Sequence, residues 1–356
     1  MRKLKQVILL SSTLIFLAAF NFQDNPPGWY LQTLPVNKPI GDIYFVDSLN
    51  GWSCTTTGDY GDTAYILKTT NGGDNWSISF AEDSMSFTKI QFININTGYA
   101  GGGFARNNLY KTTNAGNNWV KLFSNLAEPM IGLQFINLDT GWYCNGDIFT
   151  GSLYKTTNGA FNWVRQLDQS YNLKDLFFTG NDTGYVIDEQ NLYKTINGGS
   201  NWNLQYVFPK FLGNGVTFLN SQTGWAIRGD QPTQATIFKT TNGGSNWFIQ
   251  YGIPTNDSIA TTLLLKIKII NKDTVWAVGG TKYLGSSRFR GILFLSTNGG
   301  NTWGYQLPDT SINIFNYQKV FLLMEEKGGH QEYMVRMVRL YTLKPAATIP
   351  HIMLQG

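Results

Sequence analysis

Residues 68–76 read Lys-Thr-Thr-Asn-Gly-Gly-Asp-Asn-Trp, and the phrase returns at 111–119, 155–163, 194–202 and 239–247, with a looser copy at 295–303. The closing tryptophans, Trp76, Trp119, Trp163, Trp202, Trp247 and Trp303, stand 43, 44, 39, 45 and 56 residues apart. Between copies lies a second recurring element: Phe45 to Trp52, Phe92 to Tyr99, Phe135 to Trp142, Phe178 to Tyr185, Phe218 to Trp225, and Ile269 to Trp276. Self-similarity at this period means one supersecondary unit used repeatedly, each unit too small to bury its own faces.

Within the first unit, residues 43–46, 52–56, 65–69 and 76–80 read as strands, with a tight turn at 48–51. The Asn-Gly-Gly between the last two strands supplies the positive φ angles of a tight hairpin, and the Asn side chain can bond the turn backbone. No stretch sustains a helical period. Four short strands per unit predict an all-β chain, a seven-bladed β-propeller of four-stranded blades with six intact repeats and a damaged seventh. Trp29-Tyr30-Leu31-Gln32 matches fourth-strand starts such as Trp202-Asn203-Leu204-Gln205, yet no first three strands precede it. It is expected to pair with the last blade and close the ring.

The nine-residue phrase resembles the Asp-box, or BNR repeat, and its spacing is similar to that of Ycf48-like propellers, the photosystem II assembly factor type, within a superfamily that includes sialidases. The resemblance covers residues 29–328. Asn71, Asn114, Asn158, Asn197, Asn242 and Asn298 stand where that family usually has Asp, and Ala160 replaces a Gly. It implies a propeller in which these asparagines and the six box tryptophans are structural. Sialidase chemistry uses an arginine cluster and a tyrosine nucleophile, and Ycf48-type partner binding is attributed to an arginine-rich patch. Here the intact repeats hold only Arg106, Arg165, Arg228, Arg288 and Arg290, at non-equivalent places in their blades.

In a four-stranded blade the two regular turns share one face of the disc, and the opposite face carries connections that differ from copy to copy: 57–63, 101–108, 145–152, 229–235 and 279–291. A scaffold keeps regular turns for stability and varies the loops that recognise something. Ligand contacts are therefore expected from Tyr60, Arg106, Tyr283, Arg288, Phe289 and Arg290. Lys68, Lys111, Lys155, Lys194 and Lys239 recur in register and suggest either a ring of positive charge or, more simply, solvated heads over apolar stems.

Residues 1–22 read as a secretory signal, with Arg2, Lys3 and Lys5 before an apolar run from Val7 to Phe20. That run is short of the roughly 20 apolar residues of a membrane span. The formal charge of +4 includes those three cations, so the mature chain is near neutral, which argues against nucleic acid as a partner. His330 and His351, the two histidines, follow the last intact repeat; triad catalysis and the usual zinc sets find no members in the propeller. No cofactor and no metal site is expected. Glu82, Glu128, Asp168, Glu189, Asp230 and Asp257 lie in or beside variable connections, where a pair could flank a glycosidic bond. The reading is an exported, monomeric binding or scaffolding module with a protein or carbohydrate partner outside the cytoplasm; the alternative is a carboxylate-dependent glycoside hydrolase or sialidase-like enzyme. Cys54 and Cys144 occupy equivalent places two blades apart, beyond the about 7 Å that a disulfide allows between Cα atoms, and are expected to be two unbridged, buried thiols.

The propeller region is taken as residues 23–328, after which the repeat grammar stops. Residues 319–328 align with 266–275, yet Gly329-His330-Gln331 follows where an aromatic should stand. If one nucleotide was lost between Gly328 and Gly329, permitted codons spell Trp-Ala-Ser-Gly-Ile-Tyr-Gly-Ser-Asp-Gly and then, from Tyr341 onward, Tyr-Thr-Lys-Thr-Gly-Gly-Asn-Tyr. Both repeat elements return in order. Residues 329–356 are thus expected to be a frameshifted seventh blade that packs without the evolved pattern.

Overall fold

The computed structural model describes residues 30–32, 34–57, 61–103, 108–124, 129–146, 150–169, 172–208, 215–228, 235–252, 259–283, 289–306, 317–327, 330–339 and 351–355. They form seven four-stranded antiparallel sheets. In blade one the chain runs outward through Ile40–Phe45, Gly51–Thr55, Thr63–Thr69 and Ser77–Asp83, and blades two to six repeat that order. Inner strands of successive blades touch around the whole circle, the seventh against the first. The chain is a closed propeller. Among the described residues no helix is long and apolar enough to cross a membrane.

The seventh sheet consists of Tyr317–Lys327, His330–Arg339, His351–Gln355 and, on its outer edge, Tyr30–Gln32. Tyr30 pairs with Met353, Leu31 with Ile352 and Gln32 with His351, so the N-terminal strand closes the ring as its sequence predicts. Residues 329–356, expected to pack without pattern, contribute two strands by backbone pairing; the packing of their side chains lies outside the described residues, as do residues 1–22.

Two side-chain rules make a blade. On the first hairpin, an Asx turn bends the chain: Asp47 Oδ1 accepts the N–H groups of Leu49 and Asn50, and Asn94, Asn137, Asn220 and Asn271 accept the corresponding pair in their blades. Such a side chain offers the backbone a turn in place of a ladder bond. In the fourth blade Gly180 stands at this position, and in the seventh Met324. The inner strand there runs on to Lys327, paired with His330.

The second rule concerns the glycine before each second-strand aromatic. Phe45 is the cross-strand partner of Gly51, and a Cβ on Gly51 would overlap the Phe45 ring. The same cover recurs in Phe92 over Gly98, Phe135 over Gly141, Phe178 over Gly184 and Phe218 over Gly224. Blade six changes both partners together: Ile269, smaller than Phe, faces Val275. A smaller cover leaves room for a side chain in place of the glycine.

Cys54 and Cys144 are both fully buried and neither is in a disulfide. The Cys54 Sγ lies against the Phe87 carbonyl at 3.5 Å, and burial, with Asp175 nearby, pushes the Cys144 thiol up to about 12. A thiol attacks only as thiolate. Native protein is therefore expected to resist a thiol-specific disulfide reagent at neutral pH, with two thiols titrating once denaturant is added; rapid labelling of folded protein would contradict the packing.

Candidate functional site

Most of what recurs in the sequence is consumed by structure. In blade one, the Thr69 hydroxyl donates to Asn71 Oδ1 (2.9 Å) and accepts the Gly73 N–H (2.8 Å), while Asn71 Oδ1 also accepts the Asn75 N–H (3.0 Å). Asn114, Asn158, Asn197, Asn242 and Asn298 repeat this pattern with Thr112, Thr156, Thr195, Thr240 and Ser296. Each bond needs only a side-chain carbonyl oxygen at this position, which an amide supplies as well as a carboxylate. Ala160 holds φ at 74° where the other blades place Gly or, in blade one, Gly73 at 91°. The Gly72 N–H donates to the Leu49 carbonyl and Gly159, Gly198, Gly243 and Gly299 do likewise in their blades, which puts both regular turns on one face.

The aromatic after each glycine reaches into the next blade. Trp52 stacks on Phe92 at 3.6 Å between centroids, Tyr99 on Phe135 at 3.8 Å, Trp142 on Phe178 at 3.6 Å and Tyr185 on Phe218 at 3.6 Å. The box tryptophan of that next blade meets the same phenylalanine edge-on: Trp119, Trp163 and Trp202 at 5.9 Å, Trp247 at 6.0 Å. Every seam so described holds an aromatic triad.

The in-register lysines belong to the same seams, not to a ring of solvated charge. Lys111, Lys155, Lys194 and Lys239 lie 5.1–5.4 Å over Tyr99, Trp142, Tyr185 and Trp225. Their ammonium groups donate to the box carbonyls of Gly159, Gly198, Gly243 and Gly299 in the following blade, at 3.4, 2.7, 3.0 and 2.6 Å. Desolvation holds all four below the ordinary lysine range, with Asp139 opposing at Lys111 and Asp182 at Lys155.

Of the expected contact residues, Tyr60, Arg106 and Arg288 lie outside the described residues, and for Tyr283, Phe289 and Arg290 only the strand backbone is described. Glu128, Asp230 and Asp257 also fall outside. The other three carboxylates are not brought together: Glu82 pairs with Lys121 at 3.1 Å, Asp168 with Arg165 at 3.1 Å, and Glu189 with Lys174 at 3.4 Å. Among the described residues no three His, Cys, Asp or Glu side chains converge on a metal-sized site. On the box face Phe161 and Ile196 are 67% and 70% exposed.

The described cavity lies on the axis, about 280 Å³ in volume and lined by the inner strands of blades one to six. Naked inner edges are capped there by side chains from the preceding blade, a standard remedy for unpaired strand groups. Gln91 donates to the Phe135 carbonyl (2.9 Å) and accepts its N–H (2.7 Å); Gln134 does the same for Phe178. One pleat further in, Asp42 accepts the Ile90 N–H and Asp175 the Val216 N–H, each at 3.3 Å. Lys266 pairs with Asp175 at 2.9 Å, and Lys89 and Lys268 line the same cavity. The axial lysines were not among the residues expected to matter. Their signal was present, since Lys89 and Lys266 both stand three residues before the landmark Phe92 and Ile269.

Residues 23–170 match the family model described as photosynthesis system II assembly factor YCF48. No curated protein sequence matches the chain. Among solved structures, YCF48 bound to D1 peptide is 16% identical with a TM-score of 0.64, covering 92% of this chain and 96% of that one. YCF48 from Cyanidioschyzon merolae is 14% identical, with a TM-score of 0.60 over 92% and 98%. The GH74 xyloglucanase from Xanthomonas campestris is 13% identical, with a TM-score of 0.64; the match covers 88% of this chain and 52% of the enzyme. At such identities the likeness shows the fold. With the box phrase and the family match, the chain is a BNR-repeat propeller resembling Ycf48.

Burial raises the phenols of Tyr99 and Tyr185 to about 12, with Asp139 adding to the effect at Tyr99, and raises Tyr193 to about 12 with help from Asp188. A phenol held neutral by the fold contributes stability that is complete below its ordinary pKa of 10 and is lost as pH climbs to about 12. The depressed lysines act weakly in the opposite sense at lower pH, being easier to bury once neutral. Thermal melting is expected to drop steeply from pH 10 to 12, with phenolate absorbance from these tyrosines appearing only on unfolding; normal ionisation in the folded state would contradict it.

Proposed function

We propose that this chain is an exported binding or scaffolding propeller that takes a protein segment on the face opposite the box turns. The observation that carries the reading is the commitment of the box face: box asparagines, threonines and seam lysines spend their hydrogen bonds inside or between blades. Repeated structure there leaves recognition to the connections that vary. A propeller of the same fold is described with a D1 peptide bound, which favours a peptide over a glycan as the ligand class. The signal-like pattern of residues 1–22, cations ahead of an apolar run, favours delivery outside the cytoplasm.

Peptide and glycan arrays probed with the full chain test this. Binding of peptide spots is expected, weakened at least tenfold by Tyr60→Ala and Arg106→Ala and unchanged by Phe161→Ser and Ile196→Ser on the box face. The reverse mutational pattern would overturn the placement. Turnover of xyloglucan or a sialoside would overturn the binding role in favour of a glycoside hydrolase.

A further inference from the structure

Five of the six boxes place glycine directly after the asparagine, as Asn71-Gly72, Asn158-Gly159, Asn197-Gly198, Asn242-Gly243 and Asn298-Gly299, while Asn114 precedes Ala115. An asparagine before glycine is open to self-attack, because glycine puts no Cβ in the path of its own nitrogen. That nitrogen loses its proton to hydroxide and bonds to the side-chain carbonyl carbon, and ammonia leaves. Water then opens the resulting cyclic imide at one of its two carbonyls, giving aspartate or an isoaspartate whose backbone is one methylene longer. One water is consumed for each ammonia released. All five asparagines are exposed, so water reaches each of them. The nitrogen is the restrained partner. Gly72 donates its N–H to the carbonyl of Leu49, Gly159 to Asp139, Gly198 to Asp182, Gly243 to Gln222 and Gly299 to Asp273, at 2.7–2.9 Å. A nitrogen held in this way keeps its proton and its place, so attack waits until the first-hairpin tip lets go.

The tips are not braced alike. In blades one, three, five and six the tip that holds the box glycine is fixed by an Asx acceptor, Asp47, Asn137, Asn220 or Asn271, each taking two backbone N–H groups. Blade four has Gly180 there, which offers no side-chain oxygen and brings the greatest backbone freedom. Its Thr179 hydroxyl bonds the Thr183 carbonyl at 3.3 Å, across the neck of the hairpin and not within its tip. Lys155 holds the Gly198 carbonyl at 2.7 Å, but its counterparts do the same for other boxes, and none of them touches the nitrogen. We propose that Asn197 is a modification site of the folded ring, deamidating ahead of the other box asparagines because the tip that holds Gly198 is the unbraced one. Chemistry that needs an opened state proceeds in proportion to the population of that state. The aspartate product keeps the box, since each box bond needs only an oxygen at this position, and it adds one negative charge to the box face. The isoaspartate shifts that oxygen by a methylene and forfeits the bonds to Thr195 and Asn201. The proposal is independent of a partner on the irregular face.

Incubation of the folded full chain at mildly alkaline pH, followed site by site with peptide mapping by mass spectrometry, tests it. Asn50, Asn145 and Asn214, which also precede glycine, are followed separately. Asn197 is expected to convert at least tenfold faster than Asn71, Asn158, Asn242 and Asn298. In urea the five should convert at similar rates, because only local sequence then acts. Gly180→Asn supplies the missing brace; a Cβ there meets nothing within 4 Å, so the variant should fold and bring Asn197 down to the rate of the other boxes. Asn137→Ala removes the brace of blade three and should raise the rate at Asn158 at least tenfold. Near-ultraviolet circular dichroism confirms that each variant folds, and Asn220→Ala with Asn242 as the readout replaces Asn137→Ala if that one does not. Equal rates at the five boxes of the folded chain, a lead of Asn197 that persists in urea, or an unchanged rate at Asn197 in folded Gly180→Asn would overturn the proposal.

Discussion

Ring stacking across the seams is the contact on which the propeller depends. A single four-stranded sheet in this chain cannot bury both faces, and small isolated sheets are marginal in water. Its second-strand aromatic therefore lies flat on the next blade's phenylalanine, and the box tryptophan closes the same ring edge-on. Offset-stacked and edge-to-face pairs add about 0.5–1.5 kcal/mol beyond the area they bury. The buried clusters follow this plan: one contains Trp52 and Cys54 of blade one together with Phe92 and Trp119 of blade two. The core sits between blades, so stability approximates a sum of neighbour terms around a circle.

The other devices serve that contact. The glycine lets a phenylalanine lie over its own strand pair and present its far side to the neighbour. The lysine clamps the outer side of the stacked ring while its head ties down the next box turn, an arrangement that uses both stem and charge. An asparagine at the box position accepts from Thr or Ser and from the backbone without adding a charge. These demands leave the box face little chemical freedom. Variation is confined to the far face and the axis.

How far the sequence discloses this can be traced residue by residue. The box was legible because its bonds span two to four residues, and a local turn writes its chemistry in one place. Blade count and ring closure followed from the same repeat, down to Tyr30-Leu31-Gln32 as an outer strand. The seams were not legible as contacts: Tyr99 and Phe135 lie 36 residues apart, and only the constant recurrence of both hinted that they meet. Lys111 and its counterparts looked like solvated cations because nothing local shows that a carbonyl one blade on awaits them. The axial lysines stand at a regular strand position with irregular chemistry, which a pattern of recurring residues does not mark.

Replacing Phe135 by alanine removes the shared ring of one seam and leaves the hydrogen-bonded box untouched. Urea unfolding with native-state hydrogen exchange measures the result. The stacking account predicts a loss of about 3–5 kcal/mol, the usual cost of deleting a buried phenyl ring, with faster exchange in blades two and three alike. A loss under about 1 kcal/mol, far below that range, or loosening confined to blade three, would contradict the claim that the seams hold the ring.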